Sequence, residues 1–248
     1  MRKRTDAPGF LPLYEQIKQL ILRALSDGEW RPGVAIPSEV ALARRYEVSQ
    51  GTVRKALDEL VMDNILVRRQ GKGTFVATHA DDGTAYRFLR LMSLGGERAY
   101  PHSEFIAFGS GKADARVASR LGLSSGSALV ILRRVLTFSG APVVYDDIRL
   151  PAALLKGVSI AMIEDHVNAH KGTLYSLYEA QYQIRIISAH ERIRAALADA
   201  VNAPLLGVEP GAPLLAIERV AFTYQNRPVE WRMSYVNTAQ HYYFDELN

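Results

Sequence analysis

The stretch that most constrains the fold is IPSEVALARRYEVSQGTVRKALDELVMDNILVRRQGKGTFVA, residues 36–77. It holds two serines in helix-starting context, Ser38 and Ser49, and the residues between them allow one short helix and a tight turn. Ser38 is suited to cap a helix in which Glu39 complements the dipole while Ala41, Leu42 and Tyr46 reach inward. Ser49 caps the next, where Val53, Ala56, Leu57 and Leu60 make one apolar stripe and Gln50, Thr52, Arg54, Lys55 and Asp58 occupy the other face. Upstream, Leu13, Ile17, Leu20, Ile21, Ala24 and Leu25 recur at helical spacing and predict an amphipathic helix over about 12–26, which the turn-rich SDGEWRPG ends. Downstream, ILVRRQGKGTFVA reads as two short strands joined at Gly71-Lys72-Gly73.

Three helices followed by a small basic hairpin are the arrangement of a winged helix-turn-helix. Its third helix can enter a major groove about 12 Å wide and reach base edges with the side chains near its start. Backbone N–H groups at the Ser38 and Ser49 caps can hold phosphates. A Gly-Lys-Gly tip has no bulk to obstruct a narrow minor groove, and Lys72 supplies charge. The candidate DNA contacts are Ser38, Arg44, Ser49, Gln50, Gly51, Thr52, Arg54, Lys72 and Gly73. Charge agrees with this placement. Residues 1–78 carry 13 Lys and Arg against 9 Asp and Glu, whereas residues 79–248 carry 17 of each, so the whole surplus lies in the first third. A solvated basic surface would explain the charge alone equally well.

With 248 residues, 48% of them hydrophobic, the chain can bury one or two cores. It has no apolar run long enough for a membrane span, and no signal-peptide pattern follows MRKRTDAPGF. Zero cysteines rule out disulfides and cysteine-ligated zinc and fit a reducing compartment. A soluble cytoplasmic protein without a cofactor is expected.

The polar THADDGTA, residues 78–85, reads as a linker between a DNA-binding domain at 1–77 and a second domain at 86–248. In the latter, ALVILRRVLTFSGAPVVYDDIRLP predicts two long strands joined at Ser139-Gly140, and LLAIERVAFTYQNRPVEWRMSYVN repeats the format with its turn at Gln225-Asn226-Arg227. YQIRIISAHERI adds a third strand region. Helical stretches at about 113–121, 173–180 and 193–203 would cover one face of an antiparallel sheet, giving an α+β domain. His166 and His170 are spaced i, i+4 and could share a metal on a helix, but no third ligand is suggested, and basic side chains near a helix end have an ordinary role.

The residues also carry a resemblance. LPLYEQI, IPSE, VSQGTVRKAL and GKGTFV are similar, in order and over about 65 residues, to the DNA-binding domain of the GntR family of bacterial transcription regulators. Two positions depart from its usual pattern, Val40 and Gln50, where members often carry arginine. Arginine prefers guanine O6 and N7 and glutamine pairs with adenine N6 and N7, so the family's usual operator is not carried over. Residues 86–245 resemble the UTRA effector-sensing domain of the HutC subfamily, whose fold is shared with chorismate lyase. That resemblance implies a homodimeric regulator whose affinity for a double-stranded DNA operator is altered by a small molecule, anionic or hydroxylated. It also implies an effector site at Ser93, Arg134, Asp146, Thr173, Tyr175, Glu230 and Tyr235, with Leu136 where sugar-phosphate-sensing relatives have a second arginine. The ordinary alternatives are a surface ion pair for Arg134, a core ring for Tyr175, an edge charge for Asp146 and a cross-strand pair for Glu230.

The leading reading is therefore a ligand-responsive repressor on an inverted repeat. The competing readings are a DNA-binding module fused to a small enzyme domain, for which no nucleophile–base pair or general acid stands out, and an architectural DNA binder without effector.

Overall fold

A computed structural model of the chain describes residues 11–80, 86–96, 100–169 and 172–245. The chain divides into two compact units, 1–78 and 79–248. Most of the expected linker, residues 81–85, and the leading segment 1–10 lie outside the described residues, as does His170.

In the first unit, α1 spans Leu13–Ser26, α2 Glu39–Arg45 and α3 Gln50–Met62. Most of the periodic residues do what their spacing requires: Ile17, Ile21, Ala24 and Leu25 of α1, Leu42 of α2, and Val53, Ala56, Leu57 and Leu60 of α3 are buried. Leu13 and Leu20 of α1 and Ala41 of α2, expected on the inner faces, are instead exposed because they lie at the edges of their stripes. Lys18 ties α1 to α3 through Glu59 at 3.1 Å and Asp63 at 2.8 Å. The wing consists of β1, Leu66–Arg69, and β2, Gly73–Val76, paired antiparallel with Leu66 opposite Val76. Gly71 and Gly73 adopt φ of 68° and 109°, which a side chain would resist, so the tip needs glycine at both. Ala35 bridges Phe75, and the Ile36 N–H donates to the Thr74 carbonyl at 2.9 Å, which braces the outer strand of the wing.

The second unit is built on a six-stranded antiparallel sheet in the order β4-β5-β6-β9-β8-β7. Its strands are β4 His102–Lys112, β5 Ala128–Phe138, β6 Ala141–Pro151, β7 Ser188–Leu197, β8 Pro213–Thr223 and β9 Arg227–Val236. Both predicted hairpins are present. Ser139 and Gly140 close the first with φ of 49° and 83°, the left-handed pair that suits a two-residue turn. A two-stranded ribbon of β3, Leu91–Ser93, and β10, His241–Tyr243, stands apart from the large sheet.

Helices α5, Ile160–Ala169, and α6, Leu174–Tyr182, cover one face through Ile163, Leu174, Leu177 and Tyr178 on Leu132 and Ile148. The opposite face is covered by α4, Ala115–Leu121, packing Val117 and Leu121 on Leu129, Trp231 and Met233, and by α7, Asn202–Leu206. Helices therefore lie on both faces, not one. The expected helix at 193–203 is also corrected. Residues 193–197 end β7, paired with β8 from Ile193↔Ile217 to Leu197↔Pro213, and helix is confined to α7. Ala195, Ala196 and Leu197 favour helix locally, but ladder pairing overrides that preference. Further elements went unpredicted in sequence, among them the edge strand β4, the β3–β10 ribbon and the full length of α5. In addition, the strand expected from Tyr182 starts only at Ser188.

Candidate nucleic-acid interface and binding cleft

At the start of α3 the Ser49 hydroxyl accepts the Thr52 N–H at 3.1 Å, and at the start of α2 the Ser38 hydroxyl accepts that of Ala41 at 3.2 Å. Both predicted caps form. Gln50, Gly51 and Arg54 are exposed on α3, and Arg44 is exposed on α2. Lys72 and Gly73 are exposed at the wing tip.

Glu39 gathers the reading side chains. Its carboxylate accepts Arg54 Nε at 3.0 Å and Nη2 at 2.9 Å, Gln50 Nε2 at 3.2 Å, and lies 3.5 Å from Arg68 of β1. The Arg54 hydrogen bond, with Gln50 and the nearby cations, outweighs burial and holds the Glu39 carboxyl below its ordinary range. Glu39 thus does more than complement a helix dipole: it fixes the side chains of Gln50 and Arg54 on the exposed face of α3. Lys55 turns away, its Nζ 3.7 Å from the centre of the Tyr14 ring.

In the second unit, period-2 alternation sorts side chains between the faces of the sheet. Arg134 pairs in register with Asp146, Asp146 with Ser234, and Ser234 with Ile217, forming one row across four strands on the face that α5 and α6 cover. The neighbouring row carries Arg232 opposite Arg219. With Tyr86, Phe88, Arg90, Ser103, the α6 start at Thr173–Tyr175 and Tyr243, these rows line a cleft of about 770 Å³ measured out to its open mouth. Leu136, Val144 and Val236 give the floor an apolar end.

Asp146 is 1% exposed. It accepts Arg134 Nε at 2.9 Å, Arg232 Nη1 at 3.4 Å and the Ser234 hydroxyl at 2.5 Å. Burial alone would raise its carboxyl, yet the Arg232 and Arg134 guanidiniums and the Ser234 hydroxyl hold it below the ordinary range. Glu230 is fully buried and accepts the hydroxyls of Tyr175 at 3.1 Å and Tyr178 at 3.0 Å, together with Arg232 Nε at 3.0 Å. Burial and the Glu230 charge push the Tyr175 phenol up to about 12, so it stays protonated as a donor. Arg219 donates to Glu191 at 2.6 Å.

Of the residues expected at an effector site, Arg134, Asp146, Thr173 and Tyr175 line the cleft together. Glu230 sits behind the wall and holds Tyr175 and Arg232. Thr173 lines the cleft while its hydroxyl caps α6, accepting the Ser176 N–H at 3.1 Å. Tyr235 is placed otherwise: one residue out of phase with Ser234, it faces the opposite side and stacks on Tyr145 at 6.3 Å. Ser93 pairs with His241 in the β3–β10 ribbon and is not among the cleft residues. Arg133 faces away from Arg134 and reaches Asp147 at 3.8 Å, so the surface ion pair belongs to Arg133.

Sequence reasoning missed Ser103, Arg219, Arg232 and Ser234. The signal was present for two of them: in EWRMS, stepping by two from Glu230 puts Arg232 and Ser234 on its face. Two arginines from β8 and β9 thereby supply the basic groups that Leu136 does not. His166 Nε2 lies 2.9 Å from the Ser176 hydroxyl, and among the described residues no three His, Cys, Asp or Glu side chains gather as metal ligands. No helix among them is long and apolar enough to cross a membrane.

Comparison with known proteins gives this geometry a context. Residues 13–76 match the bacterial regulatory proteins of the gntR family, and residues 97–241 match the UTRA domain. The chain is 27% identical over 225 residues to the probable fructoselysine utilization operon transcriptional repressor of Escherichia coli K12, covering 91% of this chain and 90% of that one. It is 30% identical over 226 residues to an HTH-type transcriptional regulator of Mycobacterium tuberculosis, covering 90% and 81%. The ligand-binding domain of a GntR-family regulator from Bordetella bronchiseptica superposes with a TM-score of 0.60 at 36% identity, covering 66% of this chain and 99% of that domain. The exposed reading helix, the wing and the arginine-lined cleft are therefore parts of a DNA-binding transcription regulator, and the chain belongs to the GntR family in its UTRA-containing branch.

Proposed function

We propose that this protein is a cytoplasmic repressor that grips an inverted-repeat operator as a homodimer and is controlled by a small anionic, hydroxyl-bearing metabolite bound in the cleft of its second unit. The observation that carries the effector reading is the cleft floor: Arg134 and Arg232 converge on Asp146, and Arg219 lines the same cleft. Guanidinium forks suit a carboxylate or phosphate, while the carboxylate and the serines suit hydroxyl groups. Relatives named as repressors support the direction of control. Base reading falls to Gln50 and Arg54, with Thr52 beside them; backbone groups at Ser38, Ser49 and Gly51, with Arg44, Lys72 and Gly73, meet phosphates. The effector acts by favouring one arrangement of the paired reading helices over another, since only a difference in affinity between states can move the equilibrium.

The test has two arms. Genomic fragments selected by the purified protein are footprinted, and a protected inverted repeat bound by a dimer in solution scattering is expected. A metabolite panel is then screened by thermal shift, where a true effector at a hundredfold excess over its Kd stabilises the second unit by about 2.7 kcal/mol. No protected repeat, or no stabilising anion in the panel, overturns the corresponding half of the proposal.

A further inference from the structure

We propose that His79 is the positioning residue through which the state of the cleft resets the point where the chain enters the second unit. The inference rests on the cleft being the effector site. His79 is the first residue of the second unit and follows Thr78, the last of the first. In a segment whose composition reads as linker, it is nonetheless 2% exposed.

Its side chain is packed against the cleft wall. The imidazole meets the Tyr175 ring edge-on at 5.6 Å and the Phe88 ring at 6.2 Å, and those two rings meet each other at 5.6 Å and 79°. Phe88 and Tyr175 both line the cleft, so the three rings form one cluster with the cleft on one side and the chain entry on the other. Polar contacts fix His79 from behind: Nε2 lies 3.0 Å from the Ile186 carbonyl, and its backbone N–H donates to Glu179 at 3.3 Å. Glu179 is one helical turn beyond Tyr175 on α6, so both ends of this fastening are carried by a single rigid helix.

The cleft chemistry reaches the cluster directly. The Arg232 guanidinium lies 5.5 Å over the Tyr175 ring, and the Tyr175 hydroxyl is held by Glu230, which also holds Arg232. An anion that draws Arg232 toward itself loosens its hold on Glu230 and Tyr175 together. Close-packed rings respond by changing arrangement, because they cannot deform continuously. His79 then moves, and Thr78, with its Cα fixed about 3.8 Å away by covalent geometry, moves with it.

The test needs no knowledge of the effector, because the chain has no cysteine. Ser103→Cys places a single thiol in the cleft, and N-ethylmaleimide alkylation fills it. Full-length protein is assayed on the operator duplex recovered by genomic selection, before and after alkylation. Alkylation is expected to change operator Kd by about tenfold in the Ser103→Cys protein and by less than about twofold once His79→Leu is added, at equal labelling. His79→Leu keeps apolar volume but loses the ring cluster and the group facing the Ile186 carbonyl. Where it lowers the thermal transition too far for binding at 25 °C, His79→Gln replaces it with the same expectation. An equal response to alkylation with and without His79 overturns the relay and leaves the effector site standing. No response in either protein removes control by the cleft itself, and the relay with it.

Discussion

Replacing Asp146 tests whether the cleft floor is held by charge. Among the described residues, Asp146→Ala removes the only carboxylate hydrogen-bonded to Arg134, at 2.9 Å, and one of two bound by Arg232, which keeps Glu230 at 2.9 Å. It also strands the Ser234 hydroxyl. Breaking a buried pair by deleting one partner costs about 3–5 kcal/mol. Because Arg232 retains a partner and the cleft opens to water, the lower end applies, about 3 kcal/mol. For a unit of this size that corresponds to a Tm lower by roughly 6–12 °C. Asp146→Asn, which keeps an acceptor for Ser234, should lose about half as much.

The assay is urea unfolding of the second unit followed by Trp231 fluorescence in a Trp30→Phe background. The sign with pH is fixed by the depressed carboxyl. Its contribution is fully present above the unfolded value near pH ~4 and is lost as pH falls through that value toward the lower folded one. The gap between the wild type and Asp146→Asn should therefore narrow below about pH 4. A wild type and Asp146→Ala that unfold within about 0.5 kcal/mol of each other at pH 7 would refute the reasoning, because neither buried arginine would then depend on that carboxylate.

Arg54→Ala should weaken operator binding by about 1–3 kcal/mol, measured by fluorescence anisotropy, and relax preference at one base position. Lys72→Ala should weaken binding to all sequences alike and reduce the slope of log K against log salt by about one. Leu57→Ala, fully buried in α3, should cost the first unit about 2–5 kcal/mol in calorimetry and leave the transition of the second unit where it was. Glu218, held down to about 2 because hydrogen bonds from Trp231, Arg120 and Arg116 outweigh its burial, stabilises the second unit above the usual carboxylate range. Glu218→Gln should destabilise at pH 7 and converge with the wild type as pH falls below about 4.

The helical unit was legible because its signals are local. A cap, an apolar stripe at 3.6 spacing and a glycine turn are each written within a few residues, and α1, α2, α3 and the wing follow them. The sheet was legible only as hairpins, whose turns are equally local. What failed was non-local. Ala195–Leu197 favours helix until β8 pairs with it, and β4 is an exposed edge strand without a repeating apolar face. At the cleft, Arg134 and Asp146 are opposite one another across a hairpin and could be placed from its register. Arg219 enters from β8, a strand that follows the hairpin only after β7, and Tyr235 turns on a phase of one residue that sequence alone did not fix. The burial of His79 depends on Ile186, more than 100 positions away, which no reading of THADDGTA contains.

The grip of Glu39 on Gln50 and Arg54 constrains how such a regulator can acquire a new target. A substitution confined to α3 would leave the Glu39 carboxylate with Arg68 of β1, at 3.5 Å, as its remaining cation beside a polyanion, and so would lose binding before gaining any preference. Variants that switch sites should accordingly carry paired changes, one on each of two consecutive helices, and single-helix grafts from relatives with other targets should fail unless position 39 travels with them.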